Sequence, residues 1–196
     1  MFARLALAGL VLAAAVAPAA AQTWNIDTAH SSASFTVRHM MVTNVPGRFG
    51  KVEGTVVYDG KNIAAAKVNA TIDATTITTD NEKRDTHLKS ADFFDVAGHP
   101  TITFVSKRAE VVGNGKFKLI GDLTMRGKTN EVVLDVDGPT DPVTVQQAQR
   151  VGVTATTTVN RQDFGVNWSR LMDGGGVVVS DAVKITIDLE LVKATS

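Results

Sequence analysis

Cysteine is absent from the 196 residues, which removes disulfides, thiol nucleophiles and thiolate metal sites together. An excess of one charge is absent too. Twenty basic side chains face 20 acidic ones and the two kinds alternate, so the basic patch that neutralises phosphates is missing and nucleic acid is not expected as a partner. The four histidines, at 30, 39, 87 and 99, have neither i,i+4 nor H-x-H spacing, so no metal site is expected. The serines around residues 29–34 sit in no nucleophile elbow, and Gly174-Gly175-Gly176 lacks the Lys and helix of a phosphate loop. Nothing in these patterns calls for a catalytic residue or a cofactor. Long apolar runs are also missing, with one exception at residues 5–16. That run falls short of the roughly 20 residues needed to span a bilayer.

With Arg4 before it and Ala19-Ala20-Ala21 after it, the exception reads as a secretory signal peptide over residues 1–21, cleaved after Ala21. A single domain over residues 22–196 is expected, periplasmic or secreted. At about 175 residues it can bury around 70% of the surface its unfolded chain exposes, enough to be stable without disulfides.

What fills this domain is period-2 alternation, the mark of half-buried strands. Ala33, Phe35 and Val37 alternate with Ser34, Thr36 and Arg38 before an expected turn at Val45-Pro46-Gly47. Gly50, Val52, Gly54, Val56 and Tyr58 then share one face, and Asp59-Gly60 ends that strand. Val68, Ala70 and Ile72 form the next face. Beyond His99-Pro100, Ile102 and Phe104 lead to Gly113-Asn114-Gly115, a strong hairpin signal. Phe117, Leu119, Gly121, Leu123 and Met125 make a long clean face, and Arg126-Gly127-Lys128 turns the chain again. Strands centred on Leu134, Val153 and Ile187 follow. The pattern implies an all-β fold, an eight-stranded antiparallel up-and-down barrel, with a sandwich as the alternative. The small residues Gly50, Gly54, Ala70, Gly121 and Ala155 on the apolar faces either leave room for a ligand or mark bends that close the sheet.

One helical insertion interrupts the strands near the middle of the chain, over residues 79–95. Thr79 and Glu82 have capping-box spacing, which starts the helix at Asp80. Its interior is charged, with Leu88 the one strongly apolar residue before Phe93 and Phe94. Such a helix suits a lid rather than a core, with the two aromatics turned inward and Arg84 and Asp85 clamping it to the strand ends.

Five motifs in order carry a resemblance: His30-Ser31 with Phe35-x-Val37-Arg38-His39; Arg84-Asp85-x-His87-Leu88-Lys89-Ser90 with Asp92-Phe93-Phe94-Asp95; Pro100-x-Ile102-x-Phe104; Gly121-Asp122-Leu123-Thr124-Met125-Arg126-Gly127; and Asn160-Arg161-x-Asp163-Phe164-Gly165. Together they resemble the YceI family from Trp24 to Val192. The resemblance implies a lipocalin-like barrel whose elongated apolar cavity holds a polyisoprenoid lipid or quinone. By motif position, Phe35, Phe49, Phe104, Phe117, Leu119, Leu123, Met125, Phe164 and Trp168 are expected to line the cavity. His30, Arg38, His39, Arg84, Asp85 and His87 are expected as polar groups at the mouth or lid. Each isoprene unit brings five carbons, so several units offer a gross gain well beyond ~10 kcal/mol at roughly 0.8 kcal/mol per CH2, offset in part by ordering. The implied role is a non-enzymatic exported carrier with transient membrane contact. A hydrolase or isomerase using His87 with Asp85 or His30, and a scavenger of small hydrophobic compounds, are the alternatives, and a homodimer is left open.

Overall fold

A computed structural model describes residues 21–195, so the expected signal peptide lies, but for Ala21, outside the described residues. In chain order the elements are β1 (Gln22–Ile26), β2 (Ser32–His39), β3 (Thr43–Phe49), β4 (Val52–Tyr58), β5 (Lys67–Asp73), β6 (Ile77–Thr78), α1 (Glu82–Lys89), β7 (Thr101–Gly113), β8 (Lys116–Met125), β9 (Lys128–Asp137), β10 (Val143–Val145), β11 (Ala148–Asn160) and β12 (Val179–Lys193). Following the antiparallel pairings from β1 through β4, β5, β7, β8, β9, β11 and β12 returns to β1, which closes an eight-stranded barrel. Closure removes the free edges that an open sheet of this length would have to protect.

Three of the eight walls are broken strands. β1 and β2 lie one after the other along the same edge of β12, β1 opposite Leu191 to Lys193 and β2 opposite Val179 to Asp188. β3 and β4 follow them in the next position, and β5 and β6 in the one after. The wall is thereby lengthened at one end, where β2, β3, β6 and α1 gather. Between β1 and β2 the chain kinks at Asp27, whose carboxylate accepts from Ala29 N, from His30 Nδ1 at 3.1 Å and from Arg150 Nη1 at 2.8 Å. Arg150 also pairs with Glu190, tying β1, β11 and β12 together on the outside of the barrel.

That anchor makes the fold acid-sensitive. The hydrogen bond from Arg150, followed by that from His30, holds the Asp27 carboxyl at about 2 against an ordinary 3.8. A carboxyl depressed in the folded state contributes stability above its unfolded value and loses it as pH falls through the folded one. Urea midpoints measured from neutral pH downward are therefore expected to fall less steeply for Asp27→Asn than for the parent across roughly pH 4 to 2.

One expected turn resolves differently. Val45-Pro46-Gly47 is not a turn but runs inside β3, with Val45, Pro46 and Gly47 opposite Val37, Thr36 and Phe35. Among the described residues β3 meets a strand on its other side through Arg48 and Phe49 alone, so Pro46 sits on an open edge, where its missing N–H costs no ladder bond. Gly47 is required because the Phe35 ring lies over it; a Cβ there would come 2.2 Å from Phe35 Cζ. The turn proper is at Met40 and Met41, both with positive φ and closed by Val42 N donating to His39 O at 2.9 Å. The helix is also shorter than expected. It spans Glu82–Lys89 with Asn81, not Thr79, as its cap, Asn81 Oδ1 accepting from Arg84 N at 3.0 Å. The turns at Asn114-Gly115 and Arg126-Gly127 fall where the sequence places them.

Candidate functional site

Inward-facing side chains of all eight walls leave two adjacent chambers along the barrel axis. The larger, about 560 Å³, is bounded by apolar side chains including Val52, Ile72, Phe104, Phe117, Leu123 and Leu134. Charged side chains border it at one end only, Lys116 and Asp141 beside the β7–β8 hairpin and the loop after β9. The smaller, about 260 Å³, lies under α1 and has a different lining: the rings of Phe35, Phe93, Phe94 and Trp168 together with His39, Arg84, His87 and Arg161. Met125 and Ile185 border both chambers and so mark the boundary between them.

The small residues expected to open this space act in two ways. Ala70 and Ala155 line the larger chamber, whereas Gly50, Gly54 and Gly121 do not. Gly121 is demanded by close approach. A Cβ there would stand 2.5 Å from Val105 O and 2.6 Å from Phe104 Cζ, so the absent side chain seats the Phe104 ring rather than a ligand.

Of the residues singled out by sequence, Phe104, Phe117, Leu119 and Leu123 border the larger chamber, Phe35 and Trp168 the smaller, and Met125 both. Phe49 and Phe164 border neither. Phe49 packs between Phe35 and Phe94, ring centroids 5.8 and 5.6 Å away, and Phe164 is 1% exposed in the core behind the wall. Among the polar candidates, His39, Arg84 and His87 reach the smaller chamber. His30 instead lies on the outer surface beside Asp27, and Arg38 is exposed with Nη1 donating to Asn44 Oδ1. Asp85 turns toward Thr78 and Thr79. Burial works against its charge, but the hydrogen bonds from Thr79 and Thr78 outweigh it and hold the carboxyl below its ordinary value. His87 Nε2 meets Asp92 at 2.8 Å. No His87–Asp85 or His87–His30 acid–base pair is assembled.

Arg84 and Asp85 do not pair with each other; both bond to Thr79, Arg84 through Nε at 2.7 Å, and Asp85 also accepts from Thr78 Oγ1 at 2.9 Å. Asp85 thus fastens α1 to the end of β6 as the clamp expectation has it, while Arg84 holds the segment that leads into the helix. A further tie between the lid and the barrel is Arg126, at the β8–β9 turn, donating at 2.6 Å to both Ala91 O and Gly165 O. Phe93 then packs against His87 and Trp168, ring centroids 5.0 and 5.3 Å away, roofing the smaller chamber. Arg126→Ala is expected to speed hydrogen exchange at the Phe93 to Asp95 amides by about tenfold, the equivalent of one lost hydrogen bond to a charged group, while Arg84→Ala frays the start of α1 and leaves those amides near their parent rates.

Sequence reasoning assigned no role to Arg161, 4% exposed at the floor of the smaller chamber. Its guanidinium donates to Ser180 O at 3.0 Å, Trp168 O at 2.8 Å and Asp181 Oδ1 at 2.9 Å, and also to Val166 O. Every strong contact but one is to a backbone carbonyl, so this buried cation organises the long connection between β11 and β12 and through it the position of Trp168. Trp24 Nε1, at the wall of the larger chamber, is buried without a hydrogen-bond partner.

Residues 24–191 match the family profile described as the YceI-like domain. A UPF0312 protein of Staphylococcus aureus strain MSSA476 is 37% identical over 168 residues, 85% of this chain and 95% of the relative. The crystal structure of BcnA from Burkholderia cenocepacia is 25% identical with a TM-score of 0.72, over 87% of this chain and 99% of that one. A polyisoprenoid binding domain from Saccharophagus degradans, implicated in plant cell wall breakdown, is 14% identical with a TM-score of 0.66 and shares the fold.

Proposed function

The chain belongs to the YceI-like family, and from that premise we propose that it is an exported carrier which holds a polyisoprenoid, an isoprenoid quinone or prenyl lipid, inside its barrel and moves it through aqueous space without converting it. The observation that carries this reading is the division of the cavity. A larger apolar chamber adjoins, across Met125 and Ile185, a smaller one that is aromatic and cationic. Such a cavity fits an amphipathic molecule with a long branched tail and a compact polar head. The tail takes the larger chamber, where each five-carbon unit removed from water contributes roughly 4 kcal/mol before the cost of ordering. The head takes the smaller, where His39, Arg84 and His87 offer hydrogen bonds and the faces of Phe93 and Trp168 offer stacking. The polyisoprenoid ligand of the Saccharophagus domain lends support from the shared fold. Export rests on the leader at residues 1–21, which would deliver the protein to the periplasm or the medium.

Organic extraction of protein purified gently from its native host, followed by mass spectrometry, tests this. The expected result is close to one intact polyisoprenoid per chain, its mass unchanged after prolonged incubation. No stoichiometric lipid would overturn the carrier reading, and a converted lipid would replace it with the hydrolase or isomerase alternative.

A further inference from the structure

We propose that the tip formed by Met40, Met41 and Val42 with Leu171 is a membrane-docking face, through which the barrel sits on a lipid bilayer with its lidded end down. The inference rests on the carrier reading and names the surface at which the lipid would be exchanged.

Met41 is 56% exposed, and Val42 and Leu171 are each 76% exposed, on two segments that are stitched together. Met40 N donates to Val178 O at 2.8 Å, and Leu171 bridges Val177. Both segments run directly into the smaller chamber, since His39, Trp168, Val178 and Val179 border it. The apolar tip is thus continuous with the aromatic roof rather than scattered over the surface.

The backbone of the turn sharpens the point. Met40 and Met41 have φ of 48° and 57°, a two-residue turn that asks for Asn-Gly. The hairpin at the opposite end, Gln146-Gln147, has the same positive φ pair and carries two polar residues. Neither turn takes the favoured dipeptide, but the one beside the lid presents thioethers to solvent. Methionine is flexible and polarisable, suited to an irregular apolar medium. Around this tip the charge is basic, Arg38 and Arg170 against Asp173 in the two segments, both arginines exposed. Exposed apolar side chains flanked by two arginines, with a Trp behind them, match an anionic lipid surface.

Flotation with vesicles of equal parts phosphatidylethanolamine and phosphatidylglycerol tests the face. The informative variant is Met40→Asn with Met41→Gly, Val42→Thr and Leu171→Ser, because Asn-Gly suits the turn and keeps the hairpin folded. Wild-type protein is expected to float, and the variant to lose about tenfold or more of its bound fraction with its thermal midpoint unchanged or raised. Equal flotation of the two, or none by the wild type, overturns the proposal. So does loss of flotation on substituting Val111 and Val112 at the other end of the barrel instead. Lipid extracted from the same preparations keeps the two readings apart: empty protein that still floats through its tip sinks the carrier alone, and loaded protein that ignores vesicles sinks the docking face alone.

Discussion

Arg161→Ala unfolds at a denaturant midpoint well below that of the parent, with a loss of about 3–5 kcal/mol, because removing one side of a buried charged network leaves its partners uncompensated. The carbonyls of Val166, Trp168 and Ser180 converge on this guanidinium, and without it they face an apolar interior with nothing to accept from. Arg161→Lys recovers little, since one ammonium cannot address carbonyls spread over the planar fork of a guanidinium. Because the lost bonds hold Trp168, tryptophan emission is expected to shift to the red at denaturant concentrations too low to unfold the barrel. Emission and far-ultraviolet dichroism recorded along one urea titration check this. Coincident transitions at the parent midpoint would show the network to be ornamental.

Met125→Trp leaves the fold standing and empties it of long ligands. Met125 is 7% exposed at the boundary between the chambers, and on the proposed reading a ligand that occupies both must cross there, which an indole would block. Overpacking into existing space costs about 1–3 kcal/mol at most, well within what a domain of this size tolerates. Copurifying polyisoprenoid is expected to fall by at least about tenfold, since several units of tail lose their burial. Short prenyl lipids that fit one chamber are expected to bind the variant nearly as well as the parent. Titration with a graded series of prenyl chain lengths decides it: no loss at any length would mean the two chambers are filled independently, and a uniform loss that the substitution disturbs the cavity as a whole.

How far the sequence could be read depended on what each residue was answering to. Turns whose chemistry is local were legible, as at Asn114-Gly115 and Arg126-Gly127, where positive φ selects the residue. Val45-Pro46-Gly47 misled because its proline and glycine answer to tertiary neighbours, an open edge and the Phe35 ring, instead of to a turn. The Met40-Met41 turn was invisible for the converse reason, as its residues are chosen against the backbone preference. On the cavity wall, alternation along β8 placed Phe117, Leu119, Leu123 and Met125 together, since a strand face keeps its register for its whole length. The same alternation could not say which buried aromatic faces the hollow and which the solid core, hence Phe49 and Phe164. Arg161 stayed silent because a charged side chain between Asn160 and Gln162 reads as surface, and its burial depends on a connection that ends some twenty residues on, near Ser180. His30 was displaced from the mouth by the kink at Asp27, which turns it outward.

The place of β12 in the ring bears on when the cavity can first exist. This 15-residue strand pairs with β1, β2 and β11, and the circuit has no other way to close. It is the last of the barrel strands in chain order, so on a ribosome the strands before it can form at most an open, curved sheet with its apolar face uncovered. Pairings between the first and last strands are the slowest to form, because loop closure must precede any gain from contact. Until that step the chain is a trough whose apolar face is open to water. The cavity is therefore among the last features of the fold to form.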